Sequence, residues 1–322
     1  MTEVRFQSER WSVGRALREH GLLVFFLLLV GFGTLASPAF LTVPNIQNVL
    51  TQAAPLGMVA IGQALVLLVR GLDLSVASVM GTMAVVATEF RATSDEMIPV
   101  IFLVCLVLAA VVGFVNGWLV TKRQVSPFLA TLAMMIVLRG IRFVITQGAP
   151  SGSLPPGFRF LGTGNVLGIP TGFLALLILA AGMWYLMHQT VFGRRVYLVG
   201  GNKRGADLVG INSDRVVIMC YVLCSMCACL GGLFLTGYTG SIDNFVGRGY
   251  ELMSIVAAVM GGVALTGGKG TVIGALIGAM ILMALFNILL LLGFTIEVQY
   301  IVQGVIIIAA ASFYMFRERR LR

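Results

Sequence analysis

The sequence predicts an all-α integral membrane protein of about ten transmembrane helices. Of its 322 residues, 58% are hydrophobic and only 11% are charged, whereas soluble domains are about 25% charged. The 39 glycines add to that hydrophobic fraction, and a soluble fold of this size cannot bury so much apolar surface. Charge-free stretches long enough to cross a bilayer recur along the chain. Composition therefore excludes a soluble protein.

The charge-free stretches define the predicted helices. Residues 21–69 contain no charge, and Pro38 and Pro44 divide them into two helices. Seven further charge-free stretches follow, at 74–88, 97–121, 160–193, 216–242, 252–268, 271–296 and 298–316, and the segment 127–147 is also apolar but carries Arg139 and Arg142. The stretches 74–88 and 252–268 are short, so we expect each to be broken or re-entrant, which is tolerated only when protein shelters it.

The Lys and Arg residues orient the chain. With a cytoplasmic N-terminus, seventeen fall in cytoplasmic segments and three, Arg91, Arg159 and Arg248, fall outside. This positive-inside bias predicts both termini in the cytoplasm, with an N-terminal segment at 1–20, a membrane domain at 21–316 and a tail at 317–322. The five-helix halves then run in opposite directions, which favours an inverted repeat. Basic residues without interleaved aromatics argue against a nucleic-acid partner.

Several kinds of chemistry are disfavoured. No acidic residue lies well inside a predicted span, whereas a proton- or sodium-coupled carrier keeps an ionisable group near the midplane. Energy for uphill transport must then come from elsewhere, or the chain is a passive channel. Cys220, Cys224 and Cys227 share a helical face and are expected to be packing residues rather than metal ligands. Residues 267–271 lack the spacing of a phosphate-binding loop. We expect no catalytic residue, metal or cofactor on this chain.

Polar residues within the spans are candidates for a translocation path. Arg139 and Arg142 lie three residues apart on one helical face, where they either snorkel to the outer interface or line a polar path. The side-chain amides of Gln63, Asn116, Gln147 and Asn287 either contact a polyol in the path or hydrogen-bond to a neighbouring helix. Glycine stripes at 113–117 and 270–278 either pack internally or form a dimer seam. The candidate path residues are Gln63, Asp73, Ser75, Asn116, Arg139 and Asn287.

The longest cytoplasmic segment, 192–215, contains a predicted docking element. Asn202 is a suitable N-cap for a short helix over 203–209, and Gly210 is suited to end it. A small amphipathic helix on a cytoplasmic loop has the shape to dock into a groove of a soluble partner.

Five segments together resemble the permease subunits of ribose-type ATP-binding-cassette importers, the second class of carbohydrate uptake systems. They are 71–75 with Gly81, 113–127, 128–140, 192–212 and 261–278. The resemblance implies a multi-pass subunit of the bacterial inner membrane that pairs with a second copy or a paralogue. It further implies an extracytoplasmic sugar-binding protein, docked on the outer loop 148–170, and cytoplasmic ATPase subunits that hold ATP and magnesium.

The same resemblance implies that the 203–209 helix couples the permease to the ATPase. The residues implied in coupling are Gly201, Asn202, Lys203, Arg204, Gly205, Ala206, Asp207, Leu208, Gly210 and Ile211. The chain departs from the family pattern at Gly205, where alanine is usual, at Ile288, where glycine is common, and in the charge of Arg142.

Two other functions remain open from the sequence. An export permease or a stand-alone facilitator for small polar solutes would share this composition, although a facilitator has no reason to bind an ATPase. A membrane-embedded enzyme is disfavoured, because no nucleophile–base pair or ligand cluster appears within a span. The sequence does not identify the sugar.

Overall fold

The computed structural model describes residues 13–149, 152–240 and 244–319, and these residues form an almost entirely helical protein. Besides a short 3-10 turn (Asp95–Met97), the elements in chain order are α1 (Val13–Ala36), α2 (Val43–Leu68), α3 (Val76–Glu89), α4 (Ile98–Lys122), α5 (Pro127–Thr146), α6 (Phe158–Thr163), β1 (Asn165–Val166), β2 (Ile169–Pro170), α7 (Thr171–Gln189), α8 (Val191–Gly201), α9 (Lys203–Leu208), α10 (Ser213–Thr239), α11 (Tyr250–Met260), α12 (Val272–Leu291) and α13 (Ile296–Arg319). β1 and β2 pair antiparallel.

The apolar helices confirm an all-α membrane protein. In the described part of the chain, α2, α4, α5, α7, α10 and α12 are long and apolar enough to cross a bilayer. Four shorter apolar segments, Gly21–Ala36, Val76–Glu89, Tyr250–Met260 and Ile296–Ile306, occupy the other predicted positions. Of the predicted terminal segments, residues 1–12 and 320–322 lie outside the described residues.

α2 forms the centre of the fold. Every residue from 53 to 68 is buried, because α7, α10, α11 and α12 surround the helix. A helix that is apolar on all sides requires such an enclosed position. On α10, Cys224 and Cys227 pack against Gly62, where an added Cβ would lie 2.9 Å from the Cβ of Cys227. These cysteines are buried and free, and they serve as packing residues.

The glycine stripes pack within the subunit. On α4, a Cβ at Gly117 would lie 2.7 Å from the Cα of Ile218 on α10. On α12, a Cβ at Gly278 would collide with the carbonyl of Ala257 on α11. Small residues let these helix backbones approach closely, which is how helices associate in lipid. Of the two alternatives for the stripes, the structure shows internal packing.

Two short helices each follow a non-helical interruption of the membrane domain. α3 begins after the first interruption, residues 69–75. α11 begins after the second interruption, residues 244–249, in which Gly247 has a φ of +84°. The sequence predicted a short third helix in each half, and the structure contains both. The apolar stretch 252–268 is helical only to Met260, because Gly262, Gly267 and Gly268 adopt left-handed backbone angles that suit a turn.

The expected single helix over 160–193 was wrong. Residues 158–201 instead form α6, the two-stranded ribbon, α7 and α8. The ribbon turns at Leu167 and Gly168, which both have positive φ, and helix α7 begins directly after Pro170. Lack of charge therefore identified apolar sequence here without marking the helix boundaries.

Enlarging Gly113 should destabilise the protein. A Cβ at this position would lie 2.5 Å from the backbone oxygen of Tyr221 and 2.7 Å from the Cα of Val222. Overpacking against backbone costs about 1–3 kcal/mol, so we expect Gly113→Val to lower the thermal midpoint of the protein in detergent. Gly182→Val is the control, because nothing lies within 4 Å of an added Cβ there. Equal midpoints for the two variants would contradict the close packing of α4 on α10.

Candidate functional site

The predicted docking helix is present as α9. The Asn202 side-chain oxygen accepts a hydrogen bond of 2.9 Å from the Gly205 N–H, which is the geometry of an N-cap. Gly210, with a φ of +82°, follows the helix. The helix ends at Leu208, one residue earlier than expected.

The end of α9 and the residue that follows it present apolar side chains to the outside of the protein. Leu208 is 88% exposed and Val209 is 73% exposed, whereas Ala206 is only 4% exposed. Exposed apolar side chains on a loop helix are typical of a protein-binding surface. We define Leu208 and Val209 as the docking pair. Ala206 packs inside the chain and positions α9.

Arg70 fixes the end of α8, directly before α9, to the membrane core, and a neighbouring contact joins α2 to the turn after α11. The Arg70 guanidinium donates from Nε to the carbonyl of Gly200 at 2.6 Å, and a second nitrogen donates to the carbonyl of Gly201. The Gly268 N–H donates to the carbonyl of Leu68 at 2.8 Å. Four parts of the chain therefore meet at one place: the end of α2, the first interruption, the end of α8 and the turn after α11.

Four of the predicted path residues form a buried polar cluster at the first interruption. The Asp73 Oδ1 accepts from the Ser75 N–H at 2.8 Å and from its hydroxyl at 2.6 Å. Asn116 Nδ2 donates to the Ser75 hydroxyl oxygen at 2.9 Å. In the orientation that pairs both of its groups, the Gln63 amide bonds the backbone C=O and N–H of Asp73 at 3.1 and 3.2 Å. These contacts replace the helical hydrogen bonds that the interruption lacks.

Burial makes Asp73 an unusual acid. It is fully buried in the connection between α2 and α3, and this burial raises its pKa to about 6, although the hydrogen bonds from Ser75 act in the opposite direction. Removal from water disfavours a charged carboxylate.

The other two predicted path residues line cavities. Asn287 borders a cavity of about 290 Å³ between α2, α10, α11, α12 and α13. The amide of Asn287 also pairs with that of Asn45, with two hydrogen bonds of 2.9 Å. The wall of this larger cavity combines amides and aromatic rings, among them Gln52, Gln299, Gln303, Tyr238, Tyr250, Phe286 and Tyr300.

Arg139 lines a smaller cavity of about 140 Å³ between α3, α5 and the connection 244–249. Arg142 lines it too, is only 5% exposed, and donates from Nη1 to the carbonyl of Asn244 at 2.9 Å. The structure therefore favours a polar lining position over snorkelling for Arg142. The two arginines stand about 18 Å and 22 Å along α5 from Pro127, so a bilayer core of about 30 Å that begins at Pro127 would place them in its outer half.

Sequence reasoning missed Arg248 as a site residue. This side chain lines both cavities, and its guanidinium lies 5.8 Å from the ring centre of Phe245. The sequence placed Arg248 in an outer loop. The available sequence signal was its position between two glycines, Gly247 and Gly249. In the structure both glycines have positive φ, where the chain turns back into the protein.

Comparison with known proteins assigns the family. Residues 45–311 match the family of the branched-chain amino acid transport system / permease component, so the chain belongs to that family of permeases. It is 37% identical to the ribose import permease of Escherichia coli strain K12, over 96% of this chain and 98% of that protein. The corresponding values are 36%, 96% and 96% for the ribose import permease of Bacillus subtilis strain 168.

A second group of relatives is named for a different substrate. The galactose/methyl galactoside import permease of Escherichia coli strain K12 is 33% identical, over 92% of this chain and 94% of that protein. The comparison with solved structures found no match.

The pH dependence of stability should reveal Asp73. Because the folded protein holds this proton more tightly than the unfolded chain, stability falls as the pH rises from about 4 to about 6. A rise of the Asp73 pKa to about 6 on folding corresponds to about 3 kcal/mol of stability lost over this pH range. We expect Asp73→Asn, which keeps the Oδ1 acceptor, to remove this decrease in a thermal-unfolding series across pH. The exposed Glu96→Gln is the control, and a pH profile unchanged in Asp73→Asn would contradict the assignment.

Proposed function

We propose that this chain is the membrane permease subunit of an ATP-binding-cassette importer that carries a carbohydrate across the bacterial inner membrane. The observation that supports this proposal most strongly is the match of the chain, over nearly its whole length, to permeases named for ribose and galactose import. The family description names branched-chain amino acids, whereas the ribose and galactose permeases match over 96% and 92% of this chain. The chain contributes the path, and other subunits contribute the energy.

The larger cavity supports a carbohydrate path. Amide groups such as those of Gln52 and Gln303 donate and accept hydrogen bonds, as sugar hydroxyls require. Aromatic rings such as those of Tyr238 and Tyr300 offer flat apolar faces for the C–H side of a sugar ring. A concave site with mostly apolar walls and a few polar groups is typical of small-molecule sites. Asn287 and Arg139 are the path residues that we retain from the sequence.

The topology that we propose has ten spans and two cytoplasmic termini. The six long apolar helices and four shorter apolar segments supply ten crossings, and the positive-inside bias orients them. α3 and α11 occupy equivalent positions in two halves of opposite direction, as in an inverted repeat. Movement of one half against the other would open the path alternately to each side.

The proposed partners follow from the two faces of the protein. Cytoplasmic ATPase subunits, which hold ATP and magnesium, dock on α9 and its flanking residues from Gly201 to Ile211, with the docking pair Leu208 and Val209 at the centre. An extracytoplasmic binding protein docks on the outer connection 148–170, of which residues 150 and 151 lie outside the described part. A second copy or a paralogue completes the permease dimer.

Reconstitution tests the proposed function directly. The permease, its ATPase subunits and its binding protein are placed in liposomes, and uptake of radiolabelled carbohydrates is compared with uptake of leucine. We expect carbohydrate accumulation that requires ATP and the ATPase subunits. Accumulation driven by a proton or sodium gradient without those subunits, or uptake of leucine alone, would contradict the proposal.

Docking of the ATPase should depend on Leu208. A charge at an exposed apolar contact has to be desolvated on binding, and central contacts of this kind cost about 2 kcal/mol or more. We expect Leu208→Asp to reduce co-purification of the ATPase subunits and solute-stimulated ATP turnover by about ten-fold or more. Leu208→Met, which keeps an apolar side chain, is the control. Normal ATP turnover in Leu208→Asp, with normal membrane insertion in both variants, would contradict the role of the docking pair in binding the ATPase.

A further inference from the structure

Asp214 connects three helices at the end of the protein that carries α9. It lies in the first turn of α10, and each of its carboxylate oxygens faces a lysine. Oδ2 lies 2.8 Å from Nζ of Lys122, the last residue of α4, and Oδ1 lies 3.1 Å from Nζ of Lys203, the first residue of α9. One carboxylate of α10 therefore bridges α9 and α4.

The Asp214 bridge has features that a simple surface ion pair lacks. Exposed pairs contribute little, because water screens them and ordering two long side chains costs entropy. The Asp214 side chain is only 26% exposed, and both of its oxygens accept charge-assisted hydrogen bonds, from Lys122 and Lys203. The helix dipole also favours a negative charge in the first turn of α10. The three groups therefore form a network rather than an isolated pair.

A second contact ties the other end of α9 to the same helix. Asp207 Oδ1 accepts a hydrogen bond of 3.3 Å from the N–H of Ser213, the first residue of α10. Ala206 is buried, whereas Leu208, of the docking pair, is exposed. Contacts at both ends of α9 thus fix which side of the helix faces outward, and the contact at Lys203 continues through the carboxylate of α10 to α4.

α4 leads from this bridge to the first interruption. Asn116, less than two turns before Lys122, donates from Nδ2 to the Ser75 hydroxyl oxygen at 2.9 Å. A Cβ at Gly117 would lie 2.7 Å from the backbone of α10, and helices packed this closely shift as rigid elements rather than deform. Arg70 ties the end of α8 to the same interruption. Two separate connections therefore lead from the docking helix to residues 69–75.

We propose that Asp214 is a positioning residue for coupling: it holds α9 against α4, so that a movement of α9 reaches the first interruption through α4 as well as through Arg70. This inference rests on the proposed function and extends it to a residue outside the coupling residues 201–211. Asp214 acts through Lys122 and Lys203, and it needs no contact with the solute.

Hydrogen exchange in the complete importer tests the bridge. Exchange of the backbone amides in α9 and in residues 69–75 is compared between a nucleotide-free and an ATP-trapped state, without any solute. We expect ATP to change the exchange rates of both segments in the unaltered protein. In Asp214→Asn, the change in residues 69–75 should fall by about two-fold or more. The ATPase subunits should still co-purify with this variant, and ATP should still alter exchange in α9.

Single-contact variants distinguish a bridge from local stabilisation of α9. Lys122→Met breaks the contact with α4 and leaves the pair of Lys203 and Asp214, so it should reproduce the effect of Asp214→Asn. Combining the two substitutions should add nothing further, as for groups in one network. Asp214→Glu, which keeps the charge, should retain the change. Arg123→Met is the control, because it removes a positive charge from the same end of α4, where the guanidinium lies 4.8 Å from the ring centre of Trp118.

The inference is overturned if ATP changes exchange in residues 69–75 equally in Asp214→Asn, Lys122→Met and the unaltered protein, or if it causes no change there in the unaltered protein. An equal loss in Arg123→Met would also overturn it. ATP-dependent carbohydrate uptake would in each case still support the proposed function. An importer with the expected exchange pattern that accumulates no carbohydrate would instead contradict the proposed function and leave the role of Asp214 standing.

Discussion

The structure depends on satisfying backbone polar groups where its membrane helices are interrupted. An unpaired N–H or C=O costs several kcal/mol in hydrocarbon, so an interruption is stable only inside the protein. At the first interruption, the Gln63 amide pairs with the backbone of Asp73, whose carboxylate caps Ser75. At the second, the Arg142 guanidinium bonds the carbonyl of Asn244. The first interruption is thus held by a side chain of α2, the helix that leads into it, and the second by a side chain of α5.

The two interruptions have different surroundings and therefore different roles. The first contains Arg70, which donates hydrogen bonds to the carbonyls of Gly200 and Gly201 directly before α9. In the proposed transporter, these contacts would carry a movement of α9 to the end of α2. The second interruption borders both cavities. Under the proposed function, helices α2 and α11 would therefore connect the docking surface for the ATPase to the cavities where the solute binds.

Local signals made much of this structure predictable. Long charge-free stretches marked the apolar helices, and Asn202 with Gly210 marked α9, because a cap and a stop act over a few residues. Contacts between distant residues were not predictable. Nothing in the sequence around Arg248 shows that it meets Arg139 and Arg142, which lie about a hundred positions earlier. The six residues of α9 are too few to reveal by periodicity which side faces inward.

Four candidate path residues illustrate the same limit. Gln63, Asp73, Ser75 and Asn116 were selected because polar groups within apolar sequence are costly, and that reasoning holds for a path and for an internal hydrogen-bonded cluster alike. Only the tertiary structure separates the two cases, since it places these four in a buried cluster and places Arg139 and Asn287 on cavities.

The proposed transport mechanism requires that the smaller cavity, at the second interruption, opens and closes as the ATPase cycle acts on the cytoplasmic face. Thiol labelling at Phe245 measures this most directly, because Phe245 lines the smaller cavity and all five native cysteines are buried. In the complete importer, Phe245→Cys is treated with a water-soluble maleimide without nucleotide and in an ATP-trapped state. The account predicts a clear difference in labelling rate between the two states. Equal rates in both states would contradict it.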